Sequence, residues 1–237
     1  MAADTELSRS PRGSRRRPDV PPPQVDRIPP RSGLSRAEVV ANQRGRIFDG
    51  FAVALSYHGY EDTKVTDIVE LAGVSRATFY ERFESKELCF AAAFEDGVER
   101  LTVAIEAATA GGDDWARRLD AGLKAALDFL AAGPALANLL LVESLAAARP
   151  ARLEYERSLQ RLAGALQPPT CLPGAAPIPD ETARIVAGGL ASHISGRLLA
   201  GDADSLPELH WPLLEYLLTP YRTAASLPAA EQRAARA

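Results

Sequence analysis

An all-α protein is predicted: a three-helix N-terminal domain containing a helix-turn-helix, followed by a larger helical domain. Three observations carry this. Apolar residues recur at helical spacing from Val39 onward. Strand-like alternation of apolar and polar residues is absent. Prolines such as Pro134 and Pro150 fall at the starts of helical stretches, where a missing N–H costs least.

Residues 1–33 read as a disordered arm. Prolines recur from Pro18 to Pro30, and few apolar groups are available to offset the entropy of ordering. Its arginines Arg9, Arg12, Arg15, Arg16 and Arg17 can meet phosphates non-specifically or simply stay solvated. Order is predicted from Leu34, with Ser35 and Glu38 spaced as a capping box. Ile47, Phe48, Phe51 and Leu55 then mark an apolar face, and Gly59 ends the first helix.

A second helix is predicted from Thr66, as N-cap, through Ile68, Val69 and Leu71. Gly73 supplies the turn, because a side chain is costly in a left-handed backbone. Ser75 caps a third helix carrying Thr78, Phe79 and Tyr80, and Ser85 caps a fourth that runs from Lys86 to about Ala108. The N-terminal domain is therefore placed at 34–85, and the helical domain at 86–220. Asp113 or Asp114 opens the next helix, which stops near Gly133. Further helices are predicted over Pro134–Ala148, Pro150–Leu166, Asp180–Leu199 and Leu206–Leu218. Gln167–Pro179 reads as a loop and 221–237 as a disordered tail.

Composition bounds the function. The chain has 237 residues, 46% of them hydrophobic, and a net charge of −4, so a sizeable core is available. Cys89 and Cys171 are too far apart in sequence to suggest a metal site or a disulfide framework, and a reducing cytoplasm is the simplest setting. The apolar run Asn138–Leu145 is too short to span a bilayer and contains Glu143. No membrane partner is expected. An enzyme is the first alternative class, but His58, His193 and His210 have no metal-ligand spacing, and neither a phosphate loop nor a nucleophile elbow is present. No catalytic residue, metal or cofactor is expected. A protein-interaction module without DNA binding is the second alternative.

The chemistry concentrates between Lys64 and Leu88. Two short helices joined by a glycine turn form a helix-turn-helix, whose second helix can present side chains to base edges in the major groove. Arg76 can donate paired hydrogen bonds to guanine, and Thr78 can touch a thymine methyl or a phosphate. Tyr80 offers a hydroxyl to the backbone. Thr66, Ser75 and the free N–H groups of their helices suit phosphates. Lys86 opens the following helix, where a cation is poorly placed for helix stability, and a phosphate contact explains it.

The passage VTDIVELAGVSRATFYERFESKEL resembles the tetracycline-repressor family of bacterial transcription regulators. The matching places are Val65, Thr66, Ile68, Ala72 to Ser75, Thr78 to Tyr80, Phe83 and Lys86 to Leu88. The Pro/Arg-rich arm departs from the family pattern. The resemblance implies a cytoplasmic homodimer on a pseudo-palindromic duplex operator, most simply a repressor released by a small-molecule effector. An activator of the same fold is the alternative.

Two further sets of residues are expected to serve that architecture. Phe94, Leu123, Leu127, Phe129, Leu139, Glu143, Tyr155 and His193 lie on helices predicted to surround an effector pocket. Glu143 is the chosen polar anchor, its removal expected to leave DNA affinity unchanged. With no basic residue near it, an apolar or cationic effector is favoured. The dimer interface is assigned to Gly188, Gly189 and Ser192, which permit close helix approach, and to Leu198, Leu213, Tyr216 and Leu217, which add apolar area.

Overall fold

The computed structural model describes residues 35–111, 114–147, 149–168 and 177–226, all helical or connecting. The expected arm, Gly112, Asp113, Ala148, the 169–176 part of the loop with Cys171, and the end of the tail lie outside the described residues.

Helix α1 spans Arg36–Asp62, and its start is the expected capping box. The Ser35 hydroxyl accepts the Glu38 N–H at 3.3 Å, and the Ser35 N–H donates to the Glu38 carboxylate at 2.7 Å. Those bonds hold the Glu38 carboxyl below its ordinary pKa. Helix α1 does not stop at Gly59. The glycine takes φ 72° and ψ 171°, kinks the helix, and one more turn follows.

Helix α2 (Val65–Ala72) begins one residue before the predicted cap. Lys64 occupies the cap position, and its N–H donates to Asp67 at 2.8 Å, so Thr66 stands in the first turn instead. The helix ends on Gly73 in the left-handed region, at φ 61° and ψ 37°. Helices α3 (Arg76–Tyr80) and α4 (Lys86–Thr109) are capped by Ser75 and Ser85 as expected. Gly50 is where α2 crosses α1. A Cβ there would lie 2.7 Å from the Ala72 backbone nitrogen, so only glycine fits that approach.

The long helix α4 joins the two halves. Its Phe90 meets Phe51 and Tyr60 of α1 edge-on, with centroids 5.7 and 5.1 Å away. Behind it lie α5 (Trp115–Ala132), capped by Asp114, and α6 (Pro134–Asn138). The single helix predicted over Pro134–Ala148 is divided: α6 passes into a π-helical turn, Leu139–Glu143, and then into α7 (Ser144–Ala146). Helices α8 (Arg149–Leu166) and α9 (Asp180–Leu199) follow. The last connection is a 3₁₀ helix, Ala203–Leu209, and α10 covers His210–Ser226. Leu206 therefore belongs to the connection, and Tyr221 does not begin a tail. Its ring is 1% exposed and packs edge-on against Trp115 at 4.9 Å.

One continuous apolar core links the halves, from Phe79 and Ile68 through Phe90 and Phe94 to Leu139, Leu190 and Leu217. Cys89 sits within it, and burial pushes its thiol pKa up, as befits a core residue and not a redox sensor. No single described helix is long and apolar enough to cross a membrane.

Candidate nucleic-acid interface

The turn between α2 and α3 is held from α1. Arg46 reaches across and donates to the Gly73 carbonyl at 2.6 Å, pinning the residue whose conformation makes the turn. Sequence reasoning missed Arg46, and it missed Gly50, which lets α2 approach. Glycine in a helix signals weak propensity before it signals contact, and only the crossing distinguishes the two.

Helix α3 divides its side chains cleanly. Phe79 is fully buried and meets Phe83 at 5.7 Å, while Phe83 meets Phe48 at the same distance. Arg76 and Ala77 face outward, and Tyr80 is 48% exposed. The Arg76 guanidinium lies 6.0 Å from the Tyr80 ring centroid, one helical turn apart, so the two form one outward patch. The Ser75 hydroxyl accepts the Thr78 N–H at 3.0 Å and lies 2.9 Å from the Thr78 hydroxyl. Ser75 and Thr66 are both exposed, whereas Thr78 is half-buried with its hydroxyl turned to Ser75.

Arg44 flanks the patch, its guanidinium 5.0 Å from the Phe48 ring and 5.8 Å from Phe83. Arg82 reaches Gln43 at 3.4 Å. Arg76 on α3 and Arg82 just after it are exposed, with Glu81 and Glu84 exposed beside them.

Lys86 is placed differently from the expectation. Its ammonium donates to the carbonyls of Tyr60 at 2.9 Å and Thr63 at 3.0 Å, and lies 4.4 Å from the Tyr60 ring centroid. The lysine closes the end of α1, and this accounts for a cation at the start of α4 without a phosphate.

The residues expected around an effector separate into core and surface. Phe94, Leu127, Leu139 and Tyr155 are buried in packed contacts, with Phe94 and Tyr155 edge-on at 6.4 Å. Burial also raises the Tyr155 pKa, with Glu156 adding to the effect. Leu123 and Phe129 are half-buried against the core. His193 is exposed on the outer face of α9, away from those residues. Glu143 is buried, 4% exposed, and its carboxylate accepts the Tyr60 N–H at 2.7 Å. It therefore touches the N-terminal half, contrary to the expected remoteness. An open groove of about 450 Å³ lies between α4 and α8, walled by Leu88, Ala91 and Leu153 and edged by Arg149, Arg157, Glu95 and Glu154.

The expected interface residues separate in the same way. Leu213 and Leu217 are buried within the subunit and cannot add interface area, and Leu198 is half-buried. Gly189 serves the fold as well: a Cβ there would lie 2.3 Å from the Tyr216 hydroxyl oxygen. Gly188 faces open space, Ser192 is exposed, and Tyr216 remains partly exposed. Sequence reasoning missed Ile185, 65% exposed, and Trp211, 69% exposed.

Among the described residues, no cluster of three or more His, Cys, Asp or Glu side chains is arranged to hold a metal. Residues 49–93 match the family model described as bacterial regulatory proteins, tetR family. No curated protein matches the chain. Among solved structures, it is similar to the fatty acid degradation regulator FadR from Bacillus halodurans: TM-score 0.64, 22% identity, covering 76% of this chain and 96% of that one. The transcriptional regulator FadR from Bacillus subtilis, solved in complex with stearoyl-CoA, gives TM-score 0.63 and 20% identity over 74% of this chain and 97% of that one. A TetR-like transcriptional regulator from Rhodococcus sp. RHA1 gives 0.56 and 19% over 82% and 100%. Residues 49–93, which hold the helix-turn-helix and the outward Arg76–Tyr80 patch, are thus those of a tetR-family regulatory domain, and the all-helical domain behind them shares the fold of these solved structures.

Proposed function

We propose that the protein is a repressor that binds a two-fold symmetric operator as a homodimer and is released by a mostly apolar effector. The observation that carries the DNA reading is the outward pair Arg76 and Tyr80 on a short helix whose inward face is sealed by Phe79. Arg76 is assigned to base edges, Tyr80, Thr66 and Ser75 to the phosphate backbone, and Thr78 to holding Ser75. Selection from a random duplex pool by the full-length protein is expected to enrich an inverted repeat. Enrichment of no sequence above the starting pool would contradict the reading.

The dimer is assigned to the face formed by Ile185, Gly188 and Ser192 of α9 with Trp211 and Tyr216 of α10. Exposed apolar side chains beside small residues are what a permanent interface needs. Sedimentation equilibrium at low micromolar concentration is expected to show a dimer that Gly188→Glu weakens. A monomeric parent would remove the assignment.

The effector reading is supported by the apolar walls of the groove between α4 and α8. Arg149 and Arg157 line it together with Glu95 and Glu154, Arg157 pairing with Glu154, so the charge of the groove favours neither sign of effector. The similar Bacillus subtilis regulator was solved with stearoyl-CoA, an anionic molecule with a long apolar chain. Thermal-shift comparison of stearoyl-CoA with a long-chain alkylammonium tests the choice. Stabilisation by the alkylammonium alone would restore the cationic reading.

A further inference from the structure

One residue of the DNA-binding half, Tyr60, is held on both sides of its peptide unit by the helical domain and the helix that joins them. The kink at Gly59 turns the Tyr60 N–H out of the helical ladder and onto the Glu143 carboxylate, 2.7 Å away and 83 residues later in the chain. The Tyr60 carbonyl receives Lys86 at 2.9 Å, and the same ammonium reaches the Thr63 carbonyl at 3.0 Å. Thr63 is 1% exposed and lies two residues before α2 begins, so this grip sets the direction in which the chain enters the helix-turn-helix.

The other end of the connection is equally tied down. Glu143 closes the π-helical turn Leu139–Glu143. Within that turn the Leu141 carbonyl lies 2.8 Å from the Ser195 hydroxyl of α9, whose single proton is shared with the Ala191 carbonyl at 2.7 Å. The π turn thus contacts α9 through Leu141 and, two residues on, Tyr60 through Glu143, at the entry of α2. A π turn is an irregular winding that concentrates at functional positions. A buried carboxylate is costly unless paired, and here a backbone N–H supplies a charge-assisted partner.

We propose that Glu143 is a positioning residue for DNA binding: from inside the helical domain it fixes Tyr60, and with Lys86 it sets the angle at which α2 and α3 are carried. The inference rests on the DNA-binding reading above. It replaces two earlier expectations, a ligand anchor at Glu143 and a phosphate contact at Lys86. It also says where a disturbance of the helical domain reaches the reading helix.

The test uses the full-length protein and the duplex enriched by the parent. Glu143→Gln keeps an oxygen that accepts the Tyr60 N–H, whereas Glu143→Leu removes it. Gln is expected to bind within roughly threefold of the parent, and Leu at least about tenfold more weakly. The salt slope should be unchanged in both, because no phosphate contact is lost. Hydrogen exchange at the Tyr60 amide should accelerate in Glu143→Leu and stay near the parent rate in Glu143→Gln. Lys86→Met reads the same grip from its more accessible side if Glu143→Leu does not fold. It is expected to weaken binding at constant salt slope. A slope reduced by about one would instead make Lys86 a phosphate contact and overturn its part in the grip. A folded Glu143→Leu protein that binds like the parent, or keeps Tyr60 protected, would overturn the proposal alone. A parent that enriches no duplex would overturn the DNA-binding reading and this inference with it.

Discussion

The two halves of the molecule place their important groups by different means. In the N-terminal half the groups that cap and turn α3 are close in sequence, with Arg46 bracing Gly73 from 27 residues away. Ser75 caps the helix that carries Arg76 and Tyr80, and Gly73 makes the turn just before it. In the helical half they are distant. Glu143 meets Tyr60, Ser195 meets Leu141, and His210 lies 2.8 Å from Asp120 across 90 residues. The first half therefore exposes a functional surface that substitutions can erase without unfolding anything. The second is chiefly a packed body, where the same scale of change costs stability.

The sharpest contrast should come from one core substitution and one surface substitution. Leu127 is fully buried, and Leu127→Ala is expected to cost about 2–5 kcal/mol in a denaturant titration. The fraction that stays folded should bind DNA normally. Arg76→Ala should show the reverse: about 1–3 kcal/mol lost in operator affinity, with an unchanged unfolding midpoint. If Leu127→Ala were neutral for stability, or Arg76→Ala destabilising, the division between body and surface would fail.

A smaller effect separates local from distant control inside the N-terminal half. Ser75→Ala removes the hydroxyl that accepts the Thr78 N–H and is expected to cost about 1 kcal/mol of stability. It should also weaken DNA binding, by loosening α3 and by removing the hydroxyl assigned to the phosphate backbone. A stability loss without any change in DNA affinity would show that the cap serves folding only.

The smallest effect concerns alkaline pH and belongs to the helical half. Burial pushes the Tyr221 pKa up to about 12 from 10.0, and its hydroxyl has no hydrogen-bond partner among the described residues. A raised folded-state pKa gives stability that is whole below pH 10 and is lost as pH rises toward 12. Tyr221→Phe should therefore flatten the alkaline limb of the stability curve without lowering stability at neutral pH. An unchanged limb would assign alkaline unfolding to other groups.

This contrast also explains what the sequence could reveal. Ser35, Ser75 and Ser85 were readable as caps, and Asp114 as one of two candidates with Asp113, because capping acts over two or three residues. Helix α3 was readable because Phe79 points in where Arg76 and Tyr80 point out. Glu143 was readable only as an unusual carboxylate in an apolar run. Its partner is a backbone N–H released by a kink at Gly59, and no side-chain pattern announces a backbone group. Lys86 misled for the same reason, since its partners are two carbonyls. On α9 and α10, periodicity identified helices but not which leucines the subunit keeps. Leu213 and Leu217 turned inward, while Ile185 and Trp211 remained outside.

In the proposed function, α3 reads DNA sequence through Arg76. The most direct measurement of this is the ratio of affinities for the selected duplex and a scrambled one, at fixed salt, for the parent and for Arg76→Ala. The ratio is expected to fall roughly ten- to a hundredfold in the variant, while affinity for the scrambled duplex changes much less. An unchanged ratio, or equal losses on both duplexes, would contradict it.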